Sequence, residues 1–218
     1  MDFDVLRENM FDTQMRTWSV FKERVFEILR KVKRENFVSS EYLGQVFFDM
    51  ELPLLDTSEM MFPPRVEARL LSSLCDRNYS SALVLGSGSG YFAALLSRVS
   101  NVVYCLERHR KLVDFSKKNF HCSNIENIDI VEADIFSYNF SSKRFDTIVL
   151  CGSVDRISDR FFSLAESYAD VVGFEGVFPA VTAVRYHRSN NSSSWKRLEL
   201  FDYYVPPFVN DNSSSFEF

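Results

Sequence analysis

The sequence predicts an α/β fold, a mostly parallel sheet with helices on both faces and an N-terminal helical cap. Three observations predict it. Residues 81–91 read Ser-Ala-Leu-Val-Leu-Gly-Ser-Gly-Ser-Gly-Tyr, an apolar run followed by a glycine turn and the start of a helix. Between 79 and about 150, short apolar runs alternate with helix-length segments, as strand–helix–strand crossovers require. Before 79, apolar residues recur at helical spacing. The 218 residues are 46% hydrophobic and 25% charged, which is enough for one substantial core. No internal repeat or linker interrupts them. The expectation is therefore a single domain over 1–218, with a cap over about 1–78 and a sheet with a C-terminal hairpin over about 79–218.

In the cap, Ser19 is placed to start a helix that runs through Lys33, with Phe21, Val25, Ile28, Leu29 and Val32 on one face. Lys22, Glu23, Glu27 and Lys31 fall on the other face. Arg30, Lys31, Lys33 and Arg34 form a basic run at its end, which reads as a solvated last turn favoured by the helix dipole. A loop follows to about Asp56. Pro63 and Pro64 then open a second helix, with Val66, Leu70 and Leu74 spaced four apart. Such a cap over the mouth of a sheet is a candidate lid and substrate contact.

In the sheet, Ala82–Leu85 is the first strand, 86–90 the turn, and Tyr91–Val99 a helix. Three of the chain's seven glycines sit in the turn. Glycine lets backbone approach a ligand closely, with helix N–H groups directed at it. A dinucleotide fingerprint needs Gly-x-Gly-x-x-Gly. Here the third glycine comes one residue early and Tyr91 stands in its place, and no Gly-Lys-Ser/Thr follows for a P-loop. The spacing is instead similar to the nucleoside-binding turn of S-adenosylmethionine-dependent methyltransferases. Leu85, Gly86, Ser87, Gly88 and Gly90 are thus candidate cofactor contacts. Asn101–Glu107 is a second strand that ends in a carboxylate suited to two ribose hydroxyls, with Arg108 next to it. Ile128–Ala133 is a third strand. Asp134 and Ile135 after it suit an adenine, although an Asp there is also an ordinary cap. Phe145–Leu150 is a fourth, followed by Cys151. All these candidates lie at strand carboxyl ends, where a doubly wound sheet opens its ligand crevice.

Further on, 160–168 reads as a helix, 171–178 as a fifth strand, and 181–187 and 195–205 as two more strands about a polar hairpin loop at 188–194. The 210–218 tail is polar, with Phe216 and Phe218 as anchors. The net charge of −5 argues against general nucleic-acid binding. Cys75, Cys105, Cys122 and Cys151 have no metal-type spacing, and His109, His121 and His187 are scattered, so no metal is expected. No apolar run approaches membrane-spanning length, and the first residues lack the regions of a signal peptide, so the expected place is the cytoplasm, with no membrane partner.

Four stretches together resemble the protein-L-isoaspartate O-methyltransferase family over nearly the whole chain. They are Asn9-Met-Phe-Asp-Thr-Gln-Met-Arg16, Arg34-Glu-Asn-Phe-Val38, the Gly86–Tyr91 turn, and an ending from Leu200-Phe-Asp202 to Pro206-Pro-Phe208 that resembles a bacterial branch. The resemblance implies a Rossmann-like, seven-stranded methyltransferase sheet with a terminal antiparallel hairpin. It implies S-adenosyl-L-methionine as cofactor and, as partner, a protein or peptide bearing isoaspartate, methylated as part of repair. The sequence leaves the oligomeric state open. The family's Ser/Thr-x-Pro element aligns with Phe62-Pro63-Pro64. The candidate catalytic positions are therefore Ser58, Phe62 and Pro64, with Phe62 in the hydroxyl's place and Thr57 and Ser58 the nearest hydroxyls upstream. The family's acid two residues before the first glycine is Val84 here. Two alternatives stay open: an enzyme of the same fold with another protein or small-molecule acceptor, favoured by Phe62, and a catalytically silent cofactor-binding or scaffold protein, favoured by Val84.

Overall fold

The computed structural model describes residues 2–190, 192 and 194–209; the 210–218 tail, with Phe216 and Phe218, lies outside them, as do Asn191 and Ser193 of the polar loop. The cap opens with α1 (Phe3–Met10), whose N-cap Asp2 accepts from the N–H groups of Asp4 and Val5, and α1 runs on into a wider helical turn at Phe11–Met15. Helix α2 spans Glu23–Lys31. Ser19 is not its cap. It adopts φ +63° and donates its N–H to Arg16 O, closing the turn that ends the preceding helix. The capping position is Lys22, and Phe21, outside the helix, is 65% exposed. The expected loop contains two 3₁₀ turns and a small antiparallel hairpin, β1 (Leu52–Pro53) and β2 (Met60–Met61). Helix α3 (Pro64–Leu74) has proline at its first position, where no N–H is needed.

The sheet follows as β3 (Tyr79–Leu85), α4 (Tyr91–Leu96), β4 (Ser100–Glu107), α5 (Arg110–Cys122), β5 (Ile128–Glu132), β6 (Phe145–Val154), α6 (Asp159–Phe162), β7 (Ala165–Val177), β8 (Ala180–Arg188) and β9 (Lys196–Asp202). The strand order is β5-β4-β3-β6-β7-β8-β9. The first five strands pair in parallel and the last two antiparallel, so the expected mostly parallel, seven-stranded sheet is present. Ala82 and Val84 face one core with α3, α4 and the cap, while Leu83 and Leu85 face another with Phe161 and Ile157. From Ala82 to Leu85 both faces of β3 are therefore buried, and that stretch reads as an unbroken apolar run. Full burial of each such large side chain stabilises by roughly 1.5–3 kcal/mol.

The 160–168 segment departs from expectation. Helix α6 is a single turn, and β7 begins at Ala165. Phe161, Leu164, Ala165 and Tyr168 do share a helical face, but the parallel edge of β6 offers Ala165 and Asp170 partners at Phe145 and Thr147. Ladder pairing outweighs local spacing there. The last strand also stops early, at Asp202. From there the chain crosses the carboxyl ends of the strands. Ser153 N donates to Pro206 O at 3.0 Å, and Phe208 N donates to Ser153 O at 3.0 Å.

Candidate functional site

Beyond β3 the chain must reverse into α4 within five residues. Gly86, Gly88 and Gly90 meet this with φ of +73°, +56° and +82°, a region that side-chain-bearing residues rarely adopt. A Cβ at Gly86 would come within 2.8 Å of the Phe208 ring, and one at Gly90 within 2.6 Å of Phe120. Gly86 and Gly88 line a cavity of about 290 Å³ at the strand ends, whereas Gly90 faces α5 and Leu85 lies in the core on the other side of the sheet. The last two expected contacts therefore shape the turn and do not line the cavity.

Ser87 is 7% exposed and lines the same cavity, yet its hydroxyl has no hydrogen-bond partner among the described residues. A buried polar atom left without a partner in the protein is suited to a polar ligand atom. Glu107, at the end of β4, accepts from Gly88 N–H at 2.9 Å and from His109 N–H at 3.0 Å. Burial pushes its carboxyl upward while these two donors pull it back. Each carboxylate oxygen keeps a further acceptor lone pair, and Glu107 lines the cavity. Asp134, after β5, takes the N–H groups of Phe136 and Ser137 on Oδ1, so its cap role is real; Oδ2 takes no bond from a described residue. Ile135, Arg108 and Cys151 also line the cavity. Burial pushes the Cys151 thiol up, which removes it as a thiolate nucleophile. The glycines with φ > 0, the orphan Ser87 hydroxyl and the strand-end carboxylates together fit a nucleoside carrying a polar amino-acid chain.

The opposite wall is the β1–β2 hairpin. Leu54 stands over Gly88, 2.9 Å from where a Cβ would be. Glu59 meets His109 Nε2 at 3.2 Å, and Asp56 pairs with Lys111, tying the hairpin to the start of α5. Ser58 is exposed at the cavity, whereas Thr57 is committed to its own turn through Leu54 O at 2.6 Å. Phe62 lines the cavity and packs on Phe174 and Tyr203 at 5.5 and 6.5 Å between centroids. Pro64 is buried in the first turn of α3 and does not line the cavity.

Arg34, expected from the sequence in a solvated turn, and Glu67, which the sequence reading passed over, complete the site. Arg34 does not end a solvated basic run: it is 1% exposed. It donates from Nε to Val46 O at 2.9 Å and from Nη2 to Phe62 O at 2.7 Å, and it pairs through Nη1 with Glu67. Glu67, 2% exposed, also lines the cavity. Burial pushes its carboxyl up to about 8 although Arg34 pulls it down. The available signal was that Glu67 lies between Val66 and Leu70/Leu71 on the apolar stripe of its helix. Phe208 went unassigned as a site residue because its contact with Gly86 depends on a chain crossing 122 residues later in sequence. A larger hollow of about 670 Å³ runs along β5, away from the turn. Among the described residues no group of three or more His, Cys, Asp or Glu side chains is arranged to hold a metal, and no helix is long and apolar enough to cross a membrane.

Comparison with known proteins points the same way. The family model described as protein-L-isoaspartate(D-aspartate) O-methyltransferase matches residues 6–167. A protein-L-isoaspartate O-methyltransferase of Koribacter versatilis is 28% identical over 165 residues, covering 75% of this chain and 74% of the relative. One of Geobacter metallireducens is 29% identical over 180 residues, covering 82% and 80%. A Plasmodium falciparum protein-L-isoaspartate O-methyltransferase solved in complex with S-adenosyl-L-homocysteine superposes with a TM-score of 0.77 at 19% identity, covering 96% of this chain and 99% of that one.

Proposed function

Because the chain belongs to the protein-L-isoaspartate(D-aspartate) O-methyltransferase family, we propose that its strand-end cavity joins S-adenosylmethionine to the free carboxylate of an L-isoaspartyl residue in a damaged protein. It is an S-adenosylmethionine-dependent methyltransferase of protein repair. The observation that carries the site reading is the meeting, in one cavity, of the glycine turn, the unpartnered Ser87 hydroxyl, Glu107 and the hairpin wall.

When bound, S-adenosylmethionine supplies a methyl group on a sulfonium centre, open to attack by an oxygen nucleophile. Glu107 would hold the ribose hydroxyls, Asp134 and Ile135 the adenine, and the turn with Ser87 the chain beyond the ribose. The acceptor carboxylate is ionised at neutral pH without help, so the protein need supply no general base. Its task is orientation and exclusion of water. Phe62, held between Phe174 and Tyr203 and fixed through its carbonyl by Arg34, forms a dry wall. Ser58 brings a hydroxyl to the same cavity, on the hairpin tied down by Glu59–His109. We assign the protein to the cytoplasm, a reading supported by its free thiols, of which Cys75 and Cys105 are buried.

The test is transfer of a labelled methyl group to a synthetic isoaspartyl peptide, run beside the same peptide with ordinary aspartate. Labelling of the isoaspartyl peptide alone is expected. Labelling of neither, by protein that binds S-adenosylhomocysteine, overturns the acceptor assignment.

A further inference from the structure

Building on the cofactor reading above, we propose that Glu67 supplies the anionic contact for the α-ammonium group of S-adenosylmethionine. A carboxylate is seldom 2% exposed unless it is fully partnered. Glu67 is only half partnered: Arg34 engages Oε2, and Oε1 takes no hydrogen bond from another described residue. The residue lines the cavity together with Gly86 and Ser87. Oε1 is thus the acceptor left for an ammonium N–H, and a cation arriving there joins Arg34 in favouring the ionised form of the carboxyl that burial alone disfavours.

The other acids of the cavity are placed for other work. Glu107 and Asp134 stand at the ends of β4 and β5, on one side of the glycine turn, where the nucleoside is assigned. Glu59 pairs with His109, and Glu51 accepts from Tyr203 Oη at 2.5 Å. Glu67 comes from α3 on the β6 side of the turn, near Cys151 and Phe62. A ligand lying across the strand ends with its nucleoside at β4 and β5 extends its amino-acid chain toward that side. Val84, whose side chain enters the same core as α3, contributes no charge there. Arg34 holds Glu67 and the carbonyl of Phe62 with one guanidinium, so the ammonium contact and the acceptor wall are set by the same side chain.

The proposal is tested by calorimetric binding in a two-by-two cycle. Wild type and Glu67→Gln are each titrated with S-adenosylhomocysteine and with its analogue in which hydrogen replaces the α-amino group. Removing the amino group should weaken wild-type binding by about tenfold or more and the variant by less than about threefold, since the partner is already gone. 5′-Methylthioadenosine, which lacks the amino-acid chain, should bind both proteins alike. An equal penalty for the missing amino group in both proteins overturns the proposal and leaves the cofactor reading standing. Failure of the wild type to bind any of the three ligands overturns both. If Glu67→Gln does not fold, Arg34→Met with Glu67→Met removes both charges and carries the same comparison.

Discussion

At the scale of single residues, Glu107, proposed above as the ribose contact, shows how a buried carboxylate is kept in place. Its two oxygens already accept from Gly88 and His109 N–H groups, so the side chain cannot rotate without stranding two backbone donors. Glu107→Gln would set an NH₂ group against one of those donors and remove the charge that strengthens bonds to ribose hydroxyls. At about 1.5–3 kcal/mol for hydrogen bonds to a charged group, 5′-methylthioadenosine should bind the variant about tenfold to 100-fold more weakly. Unchanged affinity, measured by calorimetry, removes Glu107 from the nucleoside site. Glu107 was legible because it ends an apolar run one crossover after the glycine turn. Arg34 was not. Its neighbours Arg30, Lys31 and Lys33 are charged, and the groups that pay for its burial (Val46 O, Phe62 O and Glu67) lie 12, 28 and 33 residues away. No local pattern contains such partners.

At the scale of elements, the turn from β3 to α4 divides its glycines between two tasks. Gly86 and Gly88 border the cavity, while Gly90 accommodates the Phe120 ring of α5 at φ +82°. Gly90→Ala should therefore lower stability by about 1–3 kcal/mol for the left-handed backbone alone, with further loss from the clash with Phe120. Urea unfolding measures this, and a variant as stable as wild type would contradict the assignment. The ligand contacts on the cavity side are left intact by this change, so folded variant should still bind S-adenosylhomocysteine. The central strands β3 and β6 were readable because burial on both faces makes their middles continuous apolar runs. The start of β7 was not, since Ala165–Tyr168 has helical spacing and becomes strand only through the edge that β6 presents. The hairpin at 52–61 was hidden for a related reason: strands of two residues carry no periodicity, and its position depends on Leu54 meeting the turn and on Glu59 meeting His109.

At the scale of the whole molecule, the cap and the sheet share one core, and this decides how the protein should unfold. Phe37 of the cap packs on Tyr91 of α4 at 5.3 Å and on Phe120 of α5 at 6.4 Å between centroids. Tyr91, the residue that excluded a dinucleotide turn, is thus the seat of the cap, with the Arg34 guanidinium 5.1 Å from its ring centroid. Phe11, Phe26 and Phe37 are each at most 2% exposed and belong to the same cluster as Val84 and Val149 of the sheet. A cap joined through buried aromatic side chains and a buried ion pair has no surface of its own on which to stay folded when the sheet opens. We therefore expect one cooperative transition for the chain. The chain's two tryptophans report the two parts separately. Trp18 donates to Asp49 in the cap, and Trp195 packs on Phe162 beside β9. Trp18→Phe leaves the sheet probe and Trp195→Phe the cap probe, and the fluorescence of each variant should follow urea with the same midpoint as its own far-UV dichroism. In either variant, a tryptophan transition that separates from the dichroism would mean that cap and sheet unfold as two domains. The acceptor wall proposed at Phe62 would then rest on a joint that opens independently of the cavity at the strand ends.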